Sequence, residues 1–235
     1  KKFMSHKDAR HTDRHQQFAI AAAKQAVANA GLEITDTNRE RIGVIFGSAV
    51  GGVRAFHSMT SVYLKKGPSV INPFGIPKLM PNGACAHISI HLGIKGPVFG
   101  ICSGCATGAD NVGLAMYMIR GGLIDAAVTG GADAAVFEGG VGAFNRMRAL
   151  TTRNDAPTET PRPFDRDRDG FALGEGGAAL TLEALDFAQA RGANILAEII
   201  CWGSSGDAFH ISAPDPSGAG SARALTRALN GAHID

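Results

Sequence analysis

Residues 96–113 read GPVFGICSGCATGADNVG. An apolar run from Val98 to Ile101 leads into a turn bearing two cysteines and a glycine. A helical pattern follows from Thr107 to Ile119, with Val112, Ala115, Met116 and Ile119 on one stripe and Gly121-Gly122 to stop it. Strand, tight turn and helix in that order are the building unit of an α/β fold. The same alternation extends outward. Arg14 to Ala30 reads as an amphipathic helix closed by Gly31, Arg41 to Phe46 as a short buried strand, and Ala84 to Leu92 as a helix. Downstream, Ala126 to Thr129, Ala178 to Leu182 and Ile195 to Cys201 read as strands, and Phe187 to Arg191 lies within a helix. Gly67 to Pro81 carries Pro68, Pro73, Pro77 and Pro81 and reads as loop or irregular structure. Thr151 to Phe171, rich in Arg, Asp and Pro, reads as an ordered charged excursion. Buried strands alternating with helices predict an α/β protein with a largely parallel sheet.

Composition narrows the class. The chain has 235 residues, 45% apolar and 19% charged, with a formal net charge of +2. Such a chain can bury a core and is not a disordered tail. No apolar run approaches the ~20 residues of a membrane helix, and no basic block is dense enough to argue for nucleic acid. The opening KKFMSHKDARHTDR has no apolar stretch of the kind a signal peptide needs, so the expected setting is the cytosol, or an organelle stroma or matrix. Glycine supplies 31 residues, about twice the usual ~7%, often in pairs beside apolar runs where tight turns and close packing are expected. Four cysteines, Cys85, Cys102, Cys105 and Cys201, make no disulfide scaffold in a chain of this length. Both ends read as cut.

Cys105 is the first candidate for chemistry. It falls between the apolar run and the helix, flanked by Gly104 and Gly108. A thiol at such a turn is exposed at the edge of the sheet, sits at the positive end of a helix dipole, and has backbone N–H groups nearby for an oxyanion. A cysteine taken alone is more often a small buried hydrophobe. Cys102 and Cys105 also form a C-x-x-C pair, and spacing alone leaves a thioredoxin-like redox reading open. Zinc would want a second pair, which the isolated Cys85 and Cys201 do not supply. His87 and His91 are four apart in HISIH, without the glutamate of a zincin, and read as a helix-face pair. His210 reads as a loop histidine held by hydrogen bonds. Asp165, Asp167 and Asp169 interleave with Arg162, Arg166 and Arg168 and predict an ion-pair network rather than a metal site. No phosphate-binding or dinucleotide glycine fingerprint occurs.

The string GPVFGICSGCATGADNVG resembles the nucleophile region of the β-ketoacyl-acyl-carrier-protein synthases. RALTTRNDAPTETPRPFDRDRDGFALGEGGAALTLE, DAFHISAP, GSAVGGV and INPFGIPKLMPN fit the same family. The likeness runs along nearly the whole chain and is nearest to the synthase II type. It implies a thiolase-like layered α/β fold with two pseudo-symmetric halves. Residues 1–200 would form most of the N-terminal half, without its first strand, and 201–235 the entry to the C-terminal half. It implies a homodimer, no cofactor and no metal, and a decarboxylative Claisen condensation that elongates a Cys-bound acyl group.

By that resemblance Cys105 is the nucleophile that accepts the acyl group from the phosphopantetheine arm of acyl carrier protein. Phe144 in GGVGAFN would gate the acyl pocket beside it, and Val50 in GSAVGG would line its far part. Gly75, where relatives often carry a bulkier residue, would leave acyl room near the dimer interface. Lys7, Arg10, Lys65, Lys66, Arg146 and Arg148 are candidates for the basic surface that receives the acidic carrier protein. Ser69 and Val70 lie where some relatives have a basic pair. No histidine here matches the family's two catalytic histidines, which belong to the second half along with a lysine and a glycine-rich loop. The chain by itself is therefore expected to be acylated without condensing. A polyketide ketosynthase and a non-catalytic chain-length-factor-like subunit share the fold, and the latter typically lacks the nucleophilic cysteine.

Overall fold

A computed structural model describes residues 2–234. Its centre is β1 (Ile42–Gly47), buried along its whole length. On one side β1 pairs in parallel with β2 (Val98–Phe99), Val44 lying opposite Val98. On the other it pairs in parallel with β3 (Ala126–Ala134), from Ile42 opposite Ala126 to Gly47 opposite Gly131. β4 (Glu175–Glu183) closes the sheet antiparallel to β3, giving the order β2-β1-β3-β4.

The continuous apolar run of β1 follows from helices on both faces. Ile42, Val44 and Phe46 point one way, with Ala126 and Val128, into a core shared with Ala19 and Ala23 of α2 (Arg14–Ala30) and Ile88 of α5 (Gly83–Leu92). Ile45 and Ala127 point the other way, against Ala115 and Met118 of α6 (Thr107–Arg120). Alternate residues of one strand thus feed two separate cores in a helix–sheet–helix layering. α2 begins on a capping box at Asp13 and ends on Gly31 in the left-handed conformation, with Gly31 N–H donating back to the last turn. The remaining helices are α1 (His6–His11), α3 (Val53–Lys66), α4 (Gly75–Leu79), α7 (Glu138–Arg146), α8 (Leu185–Ala190) and α9 (Ala219–Ala232). None of the helices described is long and apolar enough to cross a membrane.

Several expectations change. Gly67 to Pro81 is not wholly irregular: a 3-10 turn at Pro68–Val70 and α4 fall inside it. Pro77 is tolerated because it lies in the first turn of α4, where its missing N–H has no partner to lose. The strand expected from Val98 to Ile101 pairs only at Val98 and Phe99. β3 runs on past Thr129 to Ala134, since β4 offers a partner along the full length.

Ile195 to Cys201 forms no strand, because no other strand among the described residues lies beside it to take its N–H and C=O groups. The segment lies against α6 instead. Arg120 donates to the Ile200 carbonyl, and the Trp202 ring stands edge-on to Tyr117 at 6.1 Å. The charged excursion is ordered, but not chiefly by ion pairs. Arg162 and Arg168 donate to the carbonyls of Asp167 and Asp165, and only Arg166–Asp167, at 3.6 Å, pairs side chains within the set. In a loop without ladder partners the unsatisfied backbone takes the strongest donors and acceptors available.

Candidate active site

The turn that carries Cys105 is held by two side chains of α6. Thr107 Oγ1 accepts from the Ser103 N–H at 3.0 Å and donates to the Gly104 carbonyl at 2.7 Å. Asn111, fully buried, accepts from the Ile101 N–H at 2.8 Å through Oδ1 and donates through Nδ2 to the carbonyls of Thr107 (2.7 Å) and Ile101 (3.2 Å). The strand exit and the helix entry are thereby clamped together. Gly104 takes φ +63°, which a side chain would disfavour. Gly47 lets the end of β1 press on this clamp, since a Cβ there would collide with the Ile101 carbonyl and lie 2.6 Å from Asn111 Nδ2.

Cys105, exposed, opens on a cavity of about 540 Å³. The far walls are Gly130, Gly131, Ala132 and Asp133 of β3 and Gly176, Gly177, Ala178 and Leu180 of β4. The four glycines among these wall residues keep the space beside the sulfur open. Cys105 itself lies in a 3-10 turn, Gly104–Ala106, closed by the Thr107 N–H donating to the Gly104 carbonyl. An exposed thiol beside an open, largely apolar space suits the formation of a thioester. The other thiols differ. Cys85 is buried, and burial pushes its thiol up, away from the reactive form. Cys102 is exposed and its thiol donates to the Ala49 carbonyl at 3.2 Å.

The remaining expected site residues fall in three places. Val50, 41% exposed, sits in the turn after β1, and its N–H donates to Asp133, a wall residue of the Cys105 cavity. Phe144, half-buried on α7, stacks edge-on against Phe171 at 5.4 Å and does not line that cavity. Gly75 lines a second cavity of about 380 Å³ with Met59, Val62 and Asn72. The space of its missing side chain is not vacant: a Cβ there would collide with the Met59 sulfur. Lys7 and Arg10 stand on α1, Lys65 and Lys66 at the end of α3, and Arg146 and Arg148 at and just after the end of α7. All six are exposed, and none is in an ion pair among the described residues.

His87 and His91 share a face of α5. Burial, and then the neighbouring His91, hold His87 below its ordinary value. His210 Nδ1 accepts from the N–H groups of Ser212 and Ala213, a loop histidine held by its own backbone. Sequence reading passed over Thr107, Asn111 and Asp133. The one signal for Asp133 was an acidic residue in GGADAA, directly after an apolar strand.

Fold and site together define a class: an α/β protein that presents an exposed cysteine at a strand-to-helix turn over an open, glycine-walled cavity. The chain belongs to the β-ketoacyl synthases, whose N-terminal domain matches residues 2–188. It is 44% identical over 229 residues to 3-oxoacyl-[acyl-carrier-protein] synthase 2 of Staphylococcus aureus, covering 97% of this chain and 55% of that one. Identity is 42% over 232 residues to the protein of the same name from Vibrio cholerae, covering 99% and 56%. The chain thus spans about half the length of these relatives. A β-ketoacyl synthase from Burkholderia phymatum superposes with a TM-score of 0.89 at 34% identity, over 98% of this chain and 56% of that one. A type II polyketide acyl-carrier protein in complex with its ketosynthase gives 0.88 at 30%, over 94% and 56%. The fold is therefore the thiolase-like one expected, with the mixed sheet described above.

Proposed function

We propose that the full-length protein is a β-ketoacyl-acyl-carrier-protein synthase that elongates fatty acids, with Cys105 as the acyl acceptor. The observation that carries this reading is the exposed Cys105 sulfur in the turn just before α6, opening on a cavity walled by glycines. The Cys105 thiolate attacks the thioester carbonyl of an acyl carrier protein. The bond to the pantetheine sulfur breaks, leaving the acyl group on Cys105 and a thiol on the carrier. In the second half-reaction malonyl-carrier loses carbon dioxide, and the freed electron pair forms the new carbon–carbon bond at the acyl carbonyl. The bond to Cys105 then breaks and the thiolate returns.

Acylation is assigned to the residues of this chain. The histidines that assist decarboxylation in the family have no counterpart in its motifs, so condensation is assigned to the full-length protein. Residues 1–200 are assigned to the N-terminal half and 201–235 to the entry of the C-terminal half. Val50 is assigned to the far part of the acyl pocket and Phe144 to its gate, and the six basic residues to carrier docking. A homodimer in the cytoplasm completes the reading.

The test is intact mass spectrometry of the natural full-length protein after incubation with hexadecanoyl-acyl carrier protein, beside Cys105→Ala. One acyl adduct on the wild type and none on the variant is the expected result. No adduct on the wild type would overturn the reading. The likeness to a polyketide ketosynthase supports a second reading, in which a polyketide starter acylates Cys105 in preference to the fatty acyl group.

A further inference from the structure

Building on the acylation reading above, we infer that Asp133 is a positioning residue for acyl-chain selection, its carboxylate fastening the turn after β1 to the wall of the Cys105 cavity. β1 and β3 end their pairing at Gly47 and Gly131. Two residues further along β3, the Asp133 carboxylate takes over from the ladder. It accepts from the Ser48 hydroxyl at 2.7 Å, from the Ala49 N–H at 3.1 Å through both oxygens, and from the Val50 N–H at 3.3 Å. Ser48, fully buried, accepts in turn from the Gly51 N–H at 2.9 Å. Four successive residues of the turn therefore hang on one acceptor, directly or through Ser48. An ionised carboxylate suits this because it only accepts and offers about four lone-pair sites.

The strut has a position as well as a structural load. Asp133 is itself a wall of the cavity that an acyl group on Cys105 would enter. The turn it holds presents Val50, an apolar side chain left exposed, and its Ala49 carbonyl takes the thiol of Cys102, three residues before the nucleophile. Asp133 makes no bond to Cys105 or to its Thr107–Asn111 clamp. Its loss moves the wall that a long chain meets and leaves the reactivity of the sulfur alone.

The natural full-length protein is compared with Asp133→Asn and Ser48→Ala by two readouts. Iodoacetamide alkylation of Cys105 reports the thiol without any acyl substrate. The ratio of Cys105 acylation rates from hexadecanoyl- and octanoyl-acyl carrier protein, followed by intact mass, reports chain selection. Asp133→Asn is expected to shift the ratio by about tenfold or more, the low end of what one methylene is worth in an apolar pocket, with alkylation within about twofold of wild type. Ser48→Ala shifts it the same way by less, and decides the matter if Asp133→Asn does not fold. A ratio unchanged in an acylated series, or alkylation falling in step with acylation, overturns the role of Asp133. Absence of acylation in the wild type sinks the synthase reading itself, and so the two failures are told apart.

Discussion

Asn111 is the residue on which the geometry of the Cys105 turn depends most. It is fully buried in α6 and bridges the last residue of the apolar run to the first turn of the helix. A buried amide in this position is more than a helix filler, because the Ile101 N–H has no ladder partner and would otherwise go unmade. Asn111→Leu keeps the volume and removes the acceptor. The expected cost is about 1–3 kcal/mol, that of an orphaned buried N–H, read as a lower urea midpoint at unchanged slope. A fall in the iodoacetamide rate at Cys105 should accompany it, as the turn loses its fixed shape. Full stability in Asn111→Leu would place the clamp elsewhere. Thr107 shares the task through its hydroxyl, and neither residue has a sequence signature beyond lying in a helix that follows a cysteine.

Among the elements, the parallel pairing of β1 and β3 is fastened at its open end by Arg41. Its guanidinium forks onto Asp125 (Nε to Oδ2 3.0 Å, Nη2 to Oδ1 2.5 Å) and also donates to the carbonyls of Gly122 and Leu123. The start of β1 is thus tied to the link between α6 and β3. Arg41 beside it holds the Asp125 carboxyl below its ordinary value. The folded state then binds fewer protons at this site than the unfolded one, so stability rises with pH across the interval. The contribution is complete above the ordinary carboxylate value of about 4 and is lost as pH falls through the folded-state value. Asp125→Asn should unfold at lower urea than wild type at pH 7, with the gap closing toward pH 3. A gap constant with pH would mean that packing rather than charge holds this corner. Both groups are partly exposed, so the effect is modest.

For the whole molecule, the segment after α8 sets how the last fifth of the chain joins the sheet layers. Trp202, the only tryptophan, covers Gly113 of α6, and a Cβ at 113 would collide with its ring. Arg223 and Arg227 of α9 donate to the carbonyls of Gly206 and Ser204, which bring α9 onto the same segment. Gly113→Ala should push the indole toward water. A red-shifted tryptophan emission with little change in far-UV circular dichroism is expected, since α6 tolerates alanine better than glycine. Unchanged emission would show that the segment slides to make room. Exposed Leu196, Phe209 and Ile211 lie along this same stretch. The apolar run there therefore looks like a strand in the sequence and remains an unpaired segment in the described residues.

Much of this protein could be read before any coordinates. The helix from Arg14 to Ala30 has the bounds that its spacing and Gly31 dictate, and β1 follows from a β-branched run between polar flanks. Cys105 was identifiable because strand, turn and helix are local signals, and because the surrounding string is that of a known family. Contacts between distant parts of the chain were not legible. Ile195 to Cys201 has strand composition, yet a strand requires a partner, which composition cannot name. Gly75 reads as room, whereas Met59, 16 positions earlier, occupies it. The reach of Asp133 to Ser48, 85 residues away, exists only once β1 and β3 are side by side. Sequence determined most of the elements and the turn that carries Cys105, because turning, capping and apolar periodicity act over a few residues. Tertiary structure decided the cavity and the side chains that shape it, because those depend on which backbone groups the folded sheet leaves without partners.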